Sequence, residues 1–251
     1  MPERAYTAEE MMTVAAARAL SRRAVCFVGI GLPSAAANLA RLTHAPDLIL
    51  IYESGAIGAR PDVLPLSIGD GELAETASTV VSTPEVFSYY LQAGRIDVGF
   101  LGAAQIDRFG NINTTVIGDY QNPKVRLPGA GGASEIATSA HEVFVIVRHS
   151  KKTFVEKLDF ITSVGSGKQA AGGARGVTRV ITDLGILERD SDGKELILTR
   201  LHPGITPEQA REATGWSLKT VGQLKETPPP AADELATLRD LHQRTRQAHG
   251  A

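Results

Sequence analysis

Apolar and polar positions along the chain change period several times, and each change predicts an element. Residues 8–20 put Met11, Met12, Val14, Ala15 and Ala16 on a helical stripe. Thr7, followed three residues later by Glu10, is a capping-box start for that helix. Residues 24–28 and 48–51 are continuous apolar runs, the pattern of strands buried on both faces of a parallel sheet. Between them, Gly29-Ile30-Gly31-Leu32-Pro33-Ser34 turns the chain into a helix over 35–42, completing a β-α-β unit. As a dinucleotide fingerprint this turn lacks the third glycine, and Pro33 stands where a flexible approach is wanted. It reads as a tight strand-to-helix turn in which Gly29 and Gly31 shape a nearby site.

Farther along, residues 60–82 have no clean period and carry Asp62, Asp70, Glu72 and Glu75. They read as a long loop holding one short strand and covering the site. Thr83-Pro84-Glu85 starts a helix to residue 91, with proline in its first turn. Strands are expected at 96–101, 114–117 and 143–147, a basic stretch at 151–157, and a mobile glycine-rich segment at 166–176. Strands at 177–184 and 196–200 flank Ser191-Asp192-Gly193, a hairpin turn. Thr206-Pro207-Glu208 begins a helix to 214, and Pro228-Pro229-Pro230 closes the compact part. In the tail, Leu235, Leu238 and Leu241 recur at helical spacing, predicting an amphipathic helix over 233–249. Strands alternating with helices place the chain in the α/β class. The expected organisation is one domain over 1–251 with a helical tail from about 231.

Composition narrows the function classes. Of 251 residues, 43% are hydrophobic and 22% charged, as in an ordinary globular protein. A net charge of −2 offers no argument for nucleic acid or an anionic membrane. The lone cysteine, Cys26, lies in an apolar run and reads as a buried thiol; no intrachain disulfide can form. No Cys/His cluster has metal-ligand spacing, so no metal is expected. The polar, acidic start is unlike a secretory signal, and no apolar run approaches a membrane span. A cytoplasmic protein is the expectation.

The candidate chemistry centres on Glu53. The second strand is apolar up to Tyr52, stops at this carboxylate, and runs into Ser54-Gly55 and then Gly58. At the carboxyl end of a parallel strand, a carboxylate is either a surface residue that ends the strand or a group held at the core edge for chemistry. The glycines favour the second reading, because they let backbone or ligand approach closely. In Gly129-Ala130-Gly131-Gly132-Ala133, followed by Ser134-Glu135, the alternatives are a flexible turn and a nest of exposed backbone N–H groups. His141, His149 and His202 are scattered and take no assigned role, and no Ser-His-Asp pattern is present.

Together these stretches resemble the β-subunit of the family I CoA-transferases over nearly the whole chain. Gly29-Ile30-Gly31-Leu32-Pro33 is similar to that family's Gly-Ile-Gly-x-Pro turn, and Tyr52-Glu53-Ser54-Gly55 falls where it carries an active-site glutamate. Gly129-Ala130-Gly131-Gly132 resembles its CoA-site loop; Gly102-Ala103-Ala104-Gln105-Ile106-Asp107 and Gly110-Asn111-Ile112-Asn113 also fit. Many members read Ser-Glu-Asn-Gly around the glutamate. The Glu-Ser-Gly form here resembles the glutaconate-type branch, and residues 66–77 with His202-Pro203-Gly204 are most similar to members acting on 3-oxoadipate. The resemblance implies an open, mostly parallel α/β sheet with flanking helices, a short hairpin and a C-terminal helix. It implies CoA transfer from succinyl-CoA to 3-oxoadipate, a step of aromatic catabolism through β-ketoadipate, or to glutaconate or another short dicarboxylate. It also implies Glu53 as covalent nucleophile, and Gly129, Ala130, Gly131 and Gly132 as oxyanion and CoA-binding groups. Gly29, Gly31, Ser54, Gly55 and Gln105 would shape the site, with Arg60 pairing a substrate carboxylate. No permanently bound cofactor is implied; the CoA thioester is a substrate. An α-subunit partner is implied, in a hetero-oligomer of two or more αβ pairs. Acyl-CoA hydrolases and decarboxylases on this scaffold have the glutamate replaced, and Glu53 argues against them. An effector-sensing module would normally sit beside a basic helix-turn-helix segment, and none is visible.

Overall fold

The apolar runs around Cys26 and Leu50 become adjacent parallel strands, in register Cys26 opposite Leu50 and Phe27 opposite Ile51. The computed structural model describes residues 5–22, 24–165, 175–190 and 192–250. In chain order the strands are β1 (Val25–Val28), β2 (Ile49–Tyr52), β3 (Ala56–Ile57), β4 (Thr79–Val80), β5 (Val98–Leu101), β6 (Gln105–Ile106) and β7 (Ile112–Asn113). They continue as β8 (Val116–Gly118), β9 (Pro123–Arg126), β10 (Glu142–Ile146), β11 (Val177–Ile181), β12 (Gly185–Arg189), β13 (Leu196–Leu201) and β14 (Thr220–Glu226). The helices are α1 (Ala8–Arg18), α2 (Leu32–Leu42), α3 (Gly71–Glu75), α4 (Thr83–Glu85), α5 (Ala133–Ser139), α6 (Pro207–Glu212) and α7 (Ala232–His249), with a π-helical stretch over Val86–Leu91.

Ten strands form one sheet in the order β14-β13-β12-β11-β10-β5-β1-β2-β3-β4. The five from β11 to β2 are mutually parallel. Alternate residues of β1 and β2 enter two cores: Cys26, Val28, Leu50 and Tyr52 one, Phe27 and Ile51 the other. Both faces are therefore covered, which is why these strands read as unbroken apolar runs. Helices α1, α2 and α7 supply side chains to the first core, and the π-helical stretch, α5 and α6 to the second. The Thr7 capping box is present, its hydroxyl accepting from Glu10 N at 3.1 Å while Glu10 accepts from Thr7 N at 2.7 Å.

Several expectations needed correction. Helix α2 starts at Leu32, three residues early, because Pro33 suits a first turn that needs no N–H donor. Residues 60–82 hold β4 and also α3, and acidic side chains hold their backbone: Asp70 caps α3 by accepting from Glu72 N, and Glu72 ties the loop by accepting from Asp62 N. The strand expected over 177–184 ends at Ile181, where the Thr182 hydroxyl turns the chain by accepting from Leu184 N and Gly185 N. The hairpin accordingly joins β12 to β13 through Asp190, Asp192 and Gly193. Strands β3, β6, β7, β9, β12 and β14 were not expected. The tail is no appendage: Leu235, Leu238 and Leu241 are buried, each contributing roughly 1.5–3 kcal/mol, and Arg18 binds Glu234 and the carbonyls of Pro228 and Pro229. The glycine-rich expectation at 166–176, apart from Arg175 and Gly176, and Ser191 of the hairpin turn lie outside the described residues. Among the described residues, no helix is long and apolar enough to cross a membrane.

Candidate active site

Strands β2 and β5 flank β1, so the chain leaves the first strand to one side and returns on the other. Ligands collect at the carboxyl ends of strands beside such a switch point. A cleft of about 730 Å³ lies there, walled by Gly29 and Pro33 after β1, Glu53 after β2, Gly102 after β5, and the loop Ala130–Gly132. Phe27, Leu101 and Ile136 form apolar wall. Among the described residues lining the cleft, Glu53 is the only charged one.

The backbone of Glu53 is held from three sides. Before it, Tyr52 is fully buried, and its hydroxyl lies 3.1 Å from Ser34 Oγ and 3.4 Å from Asn38 Nδ2, both on α2. Burial pushes the Tyr52 phenol above its ordinary pKa, which keeps it protonated for this contact. After it, Gly55 N donates to Tyr52 O at 3.0 Å, and Gly55 itself takes φ +108°. A Cβ on Gly55 would stand 1.9 Å from the Val81 carbonyl oxygen. From the side, Thr83 Oγ1 donates to Glu53 O at 3.3 Å. The carboxylate is left as the movable part, half-buried, with no hydrogen-bond donor to it among the described residues.

Across the cleft, the glycine-rich loop is tied at one end and open in the middle. Gly129 N donates to Thr114 O at 2.9 Å, and Thr114 Oγ1 returns a bond to Gly129 O at 2.8 Å. Ala133 N donates to Ala130 O at 2.8 Å, closing a turn. Among the described residues, the amides of Ala130, Gly131 and Gly132 have no hydrogen-bond acceptor. A Cβ on Gly132 would lie 3.2 Å from Glu53 Oε1 and 2.6 Å from Phe87 Cζ. The absence of that carbon lets the loop stand directly against the carboxylate. Gly99 acts behind it: a Cβ there would meet Ile136 Cγ2 at 2.5 Å, so the glycine lets α5 settle on β5.

The remaining residues singled out in the sequence take different places. Gly31, at φ +79°, is the N-cap of α2 and borders a neighbouring recess beside Leu64 and Leu66. Ser54 lies in the turn between Glu53 and Gly55 and does not line the cleft. Gln105 is buried behind the loop: it accepts from Asn113 Nδ2 at 2.7 Å and donates to Asp159 at 3.0 Å. Asn113 in turn accepts from Thr115 N, so Gln105 braces the turn from which Gly129 hangs. Arg60 is not brought to the cleft. The antiparallel return of β3 carries it toward the start of β2, where its guanidinium donates to Pro46 O at 2.9 Å. Cys26 is a fully buried thiol whose pKa burial raises.

Phe87 was missed by sequence reasoning. Its ring packs edge-on against Phe27, with centroids 6.0 Å apart, and lies under Gly132. The signal was indirect: a proline-capped helix start followed by Phe87, Tyr89 and Tyr90. Nothing in it announced a π-helical stretch, a feature that recurs at functional sites.

Comparison with known proteins agrees with this fold. The family model described as coenzyme A transferase matches residues 9–213. One subunit of the 3-oxoadipate CoA-transferase of Pseudomonas knackmussii is 65% identical, over 98% of this chain and 97% of that protein. The crystal structure of glutaconate coenzyme A-transferase from Acidaminococcus fermentans superposes with a TM-score of 0.87 at 34% identity, covering 94% of each chain. The decarboxylase AibA/AibB superposes with a TM-score of 0.83 at 27% identity, over 96% of this chain and 98% of that one. A family match over most of the chain, with a relative this similar along nearly its full length, shows that the chain belongs to the coenzyme A transferase family.

Proposed function

We propose that this chain is the glutamate-bearing subunit of an enzyme that moves CoA from succinyl-CoA to 3-oxoadipate, with Glu53 as the covalent nucleophile. The observation that carries the assignment of Glu53 is its juxtaposition with Gly132: a carboxylate at a strand end, facing a loop whose middle amides have no acceptor among the described residues. The choice of 3-oxoadipate rests on the 65% identical relative, and succinyl-CoA as donor on the resemblance to the family.

The chemistry follows from the groups present. A Glu53 carboxylate oxygen attacks the thioester carbonyl of succinyl-CoA, the C–S bond breaks, and CoA leaves as its thiolate. The product is a mixed anhydride between Glu53 and the succinyl group. The thiolate attacks the Glu53 side-chain carbonyl, releasing succinate and leaving a glutamyl-CoA thioester. The carboxylate of 3-oxoadipate then repeats the sequence in reverse, which restores Glu53 and yields 3-oxoadipyl-CoA. An anhydride is about as energetic as a thioester, so no intermediate becomes a trap, whereas a serine ester would. Both nucleophiles are already ionised, so no general base is required. Each step passes through a tetrahedral oxyanion, and the amides of Ala130, Gly131 and Gly132 are its donors. Losing one such donor costs roughly 3 kcal/mol in the transition state.

Both acids are dicarboxylates, so a second negative charge must be met. Among the described residues, the wall this chain contributes holds no cation, and that charge falls to a partner subunit. The 65% identical relative is itself named as one subunit of its enzyme, and the name AibA/AibB has two components; both support such a partner. We assign the assembly to αβ pairs in the cytoplasm.

The test is covalent trapping. Enzyme incubated with succinyl-CoA and no acceptor should be inactivated by borohydride, which reduces a thioester and leaves a resting carboxylate intact. Peptide mass mapping should place the reduction at Glu53. Inactivation mapped to another residue would overturn the assignment. A higher kcat/KM for glutaconate than for 3-oxoadipate would overturn the choice of acceptor alone.

A further inference from the structure

A second polar recess lies between the end of α1 and the mixed half of the sheet and shares no wall residue with the Glu53 cleft. Its volume is about 280 Å³. Three guanidinium groups, Arg18, Arg179 and Arg200, border it, against a single carboxylate, Glu188. Two of the three are occupied. Arg18 spends Nε and Nη2 on Glu234 and Nη1 on Pro228 O. Arg179 puts Nε and Nη2 on Glu188 Oε1, at 2.9 and 2.7 Å. The other oxygen of Glu188 accepts from Thr199 Oγ1 at 2.8 Å. Both oxygens of the wall carboxylate are thus engaged and its charge also acts on Arg200, but among the described residues Arg200 has no carboxylate within ion-pair distance and no side-chain hydrogen bond. Nη1 of Arg179 is likewise uncommitted.

An independent observation concerns Thr227. Its side chain is 4% exposed, it lines the recess, and its Oγ1 has no hydrogen-bond partner among the described residues. Buried hydroxyls are nearly always satisfied, so an orphan on a residue that lines the recess marks a missing acceptor or donor. The rest of the wall is apolar: Ala15 and Ala19 of α1, Ile186 of β12, and Pro228. The register of the sheet sets Ile186 opposite Arg200 and Arg179 opposite Glu188, so these side chains stand on one face.

We propose that this recess binds a compact organic carboxylate. The carboxylate takes the Arg200 guanidinium and the free edge of Arg179, and accepts from the Thr227 hydroxyl. A short aliphatic portion lies on Ala15, Ala19 and Ile186. A guanidinium fork matches a carboxylate in geometry and charge. The apolar wall separates such a ligand from a bare inorganic anion, which would leave it uncovered.

Butyrate is a suitable probe, titrated into the full-length protein by calorimetry, with inorganic phosphate as the second arm. Wild type and Glu53→Ala should bind one butyrate per chain with equal affinity. Arg200→Gln should weaken binding about tenfold or more, the loss expected of one charge-assisted contact. Thr227→Val, which keeps the side-chain shape, should weaken it by a smaller factor and serves if Arg200→Gln does not fold. Wild-type affinity in both recess variants would overturn the proposal. So would a changed affinity in Glu53→Ala, above all a tighter one, since removing the cleft's own carboxylate favours an anion only if the probe sits there. Phosphate binding as tightly as butyrate would overturn the organic character of the ligand.

Discussion

The two halves of the sheet present polar groups to solvent recesses in opposite ways. At the carboxyl ends of β2, β1 and β5, the recess has one charged side chain, Glu53, and its remaining polar groups are backbone. Between α1 and β11–β13, the recess is polar through long side chains, Arg18, Arg179, Glu188 and Arg200. Backbone donors are placed by the fold and lose no rotamer freedom when they engage, whereas arginine side chains carry about 2 kcal/mol of it. The difference teaches where each half is fragile. The first should fail when a carbon is added to a glycine, the second when a side chain is taken away.

The largest effect sharpens that contrast at its one exception. Glu53→Ala should keep the fold, since the residue ends a strand and fills no core, and should abolish transfer, as followed by thioester exchange. Glu53→Asp keeps the charge and withdraws it by one methylene. Displacing a reacting atom by about 1 Å costs on the order of 10²-fold, so near-normal activity in this variant would contradict covalent attack.

Gly55→Ala comes next. It needs φ +108° and a Cβ 1.9 Å from the Val81 carbonyl oxygen. It should lower stability by about 3 kcal/mol or more, measured by chemical denaturation. A loss below about 1 kcal/mol would mean that the turn holding Glu53 is not rigid.

In the mixed half, acid is the lever. His149 is buried, stacks on Phe154 with centroids 3.8 Å apart, and meets Thr214 Oγ1 at 2.9 Å through Nε2. Desolvation lowers its pKa from 6.5 to about 4, Asp183 opposing weakly. A group with a depressed cationic pKa stays neutral in the folded state while the unfolded chain takes up the proton. Its contribution is complete above pH 6.5 and is lost as pH falls toward 4, by about 3 kcal/mol in all. Denaturation midpoints measured across that window should fall in the wild type and flatten in His149→Gln. Equal slopes would remove His149 as the cause.

Gly132→Ala should act on rate more than on stability. The residue sits at φ −83°, which alanine accepts, so the only obstacle is space: Phe87 at 2.6 Å and Glu53 Oε1 at 3.2 Å. We expect kcat to drop by roughly 10²-fold, about 2.7 kcal/mol. Adding Phe87→Leu should recover stability and leave most of the rate defect, because the contact with Glu53 remains. Full recovery of rate in the double variant would trace the defect to Phe87 instead.

The sequence by itself determined the elements whose information is local. Unbroken apolar runs at Val25–Val28 and Ile49–Tyr52 named strands covered on both faces, and the caps at Thr7 and Thr206 marked helix starts that the structure keeps. It also placed Glu53 at a strand end. What it could not show is anything that exists only through pairing. Strand β3 has two residues, too short for a period, and is a strand only because it lies between β2 and β4. Strand β14 is a largely exposed edge with no alternation to read. Arg60 looked close to Glu53 along the chain, and one antiparallel return carried it to Pro46. Gly132 looked remote, and the parallel order β2-β1-β5 brought it to the carboxylate. Separation along a sequence measures reach only inside one element; between elements, strand order decides which residues meet.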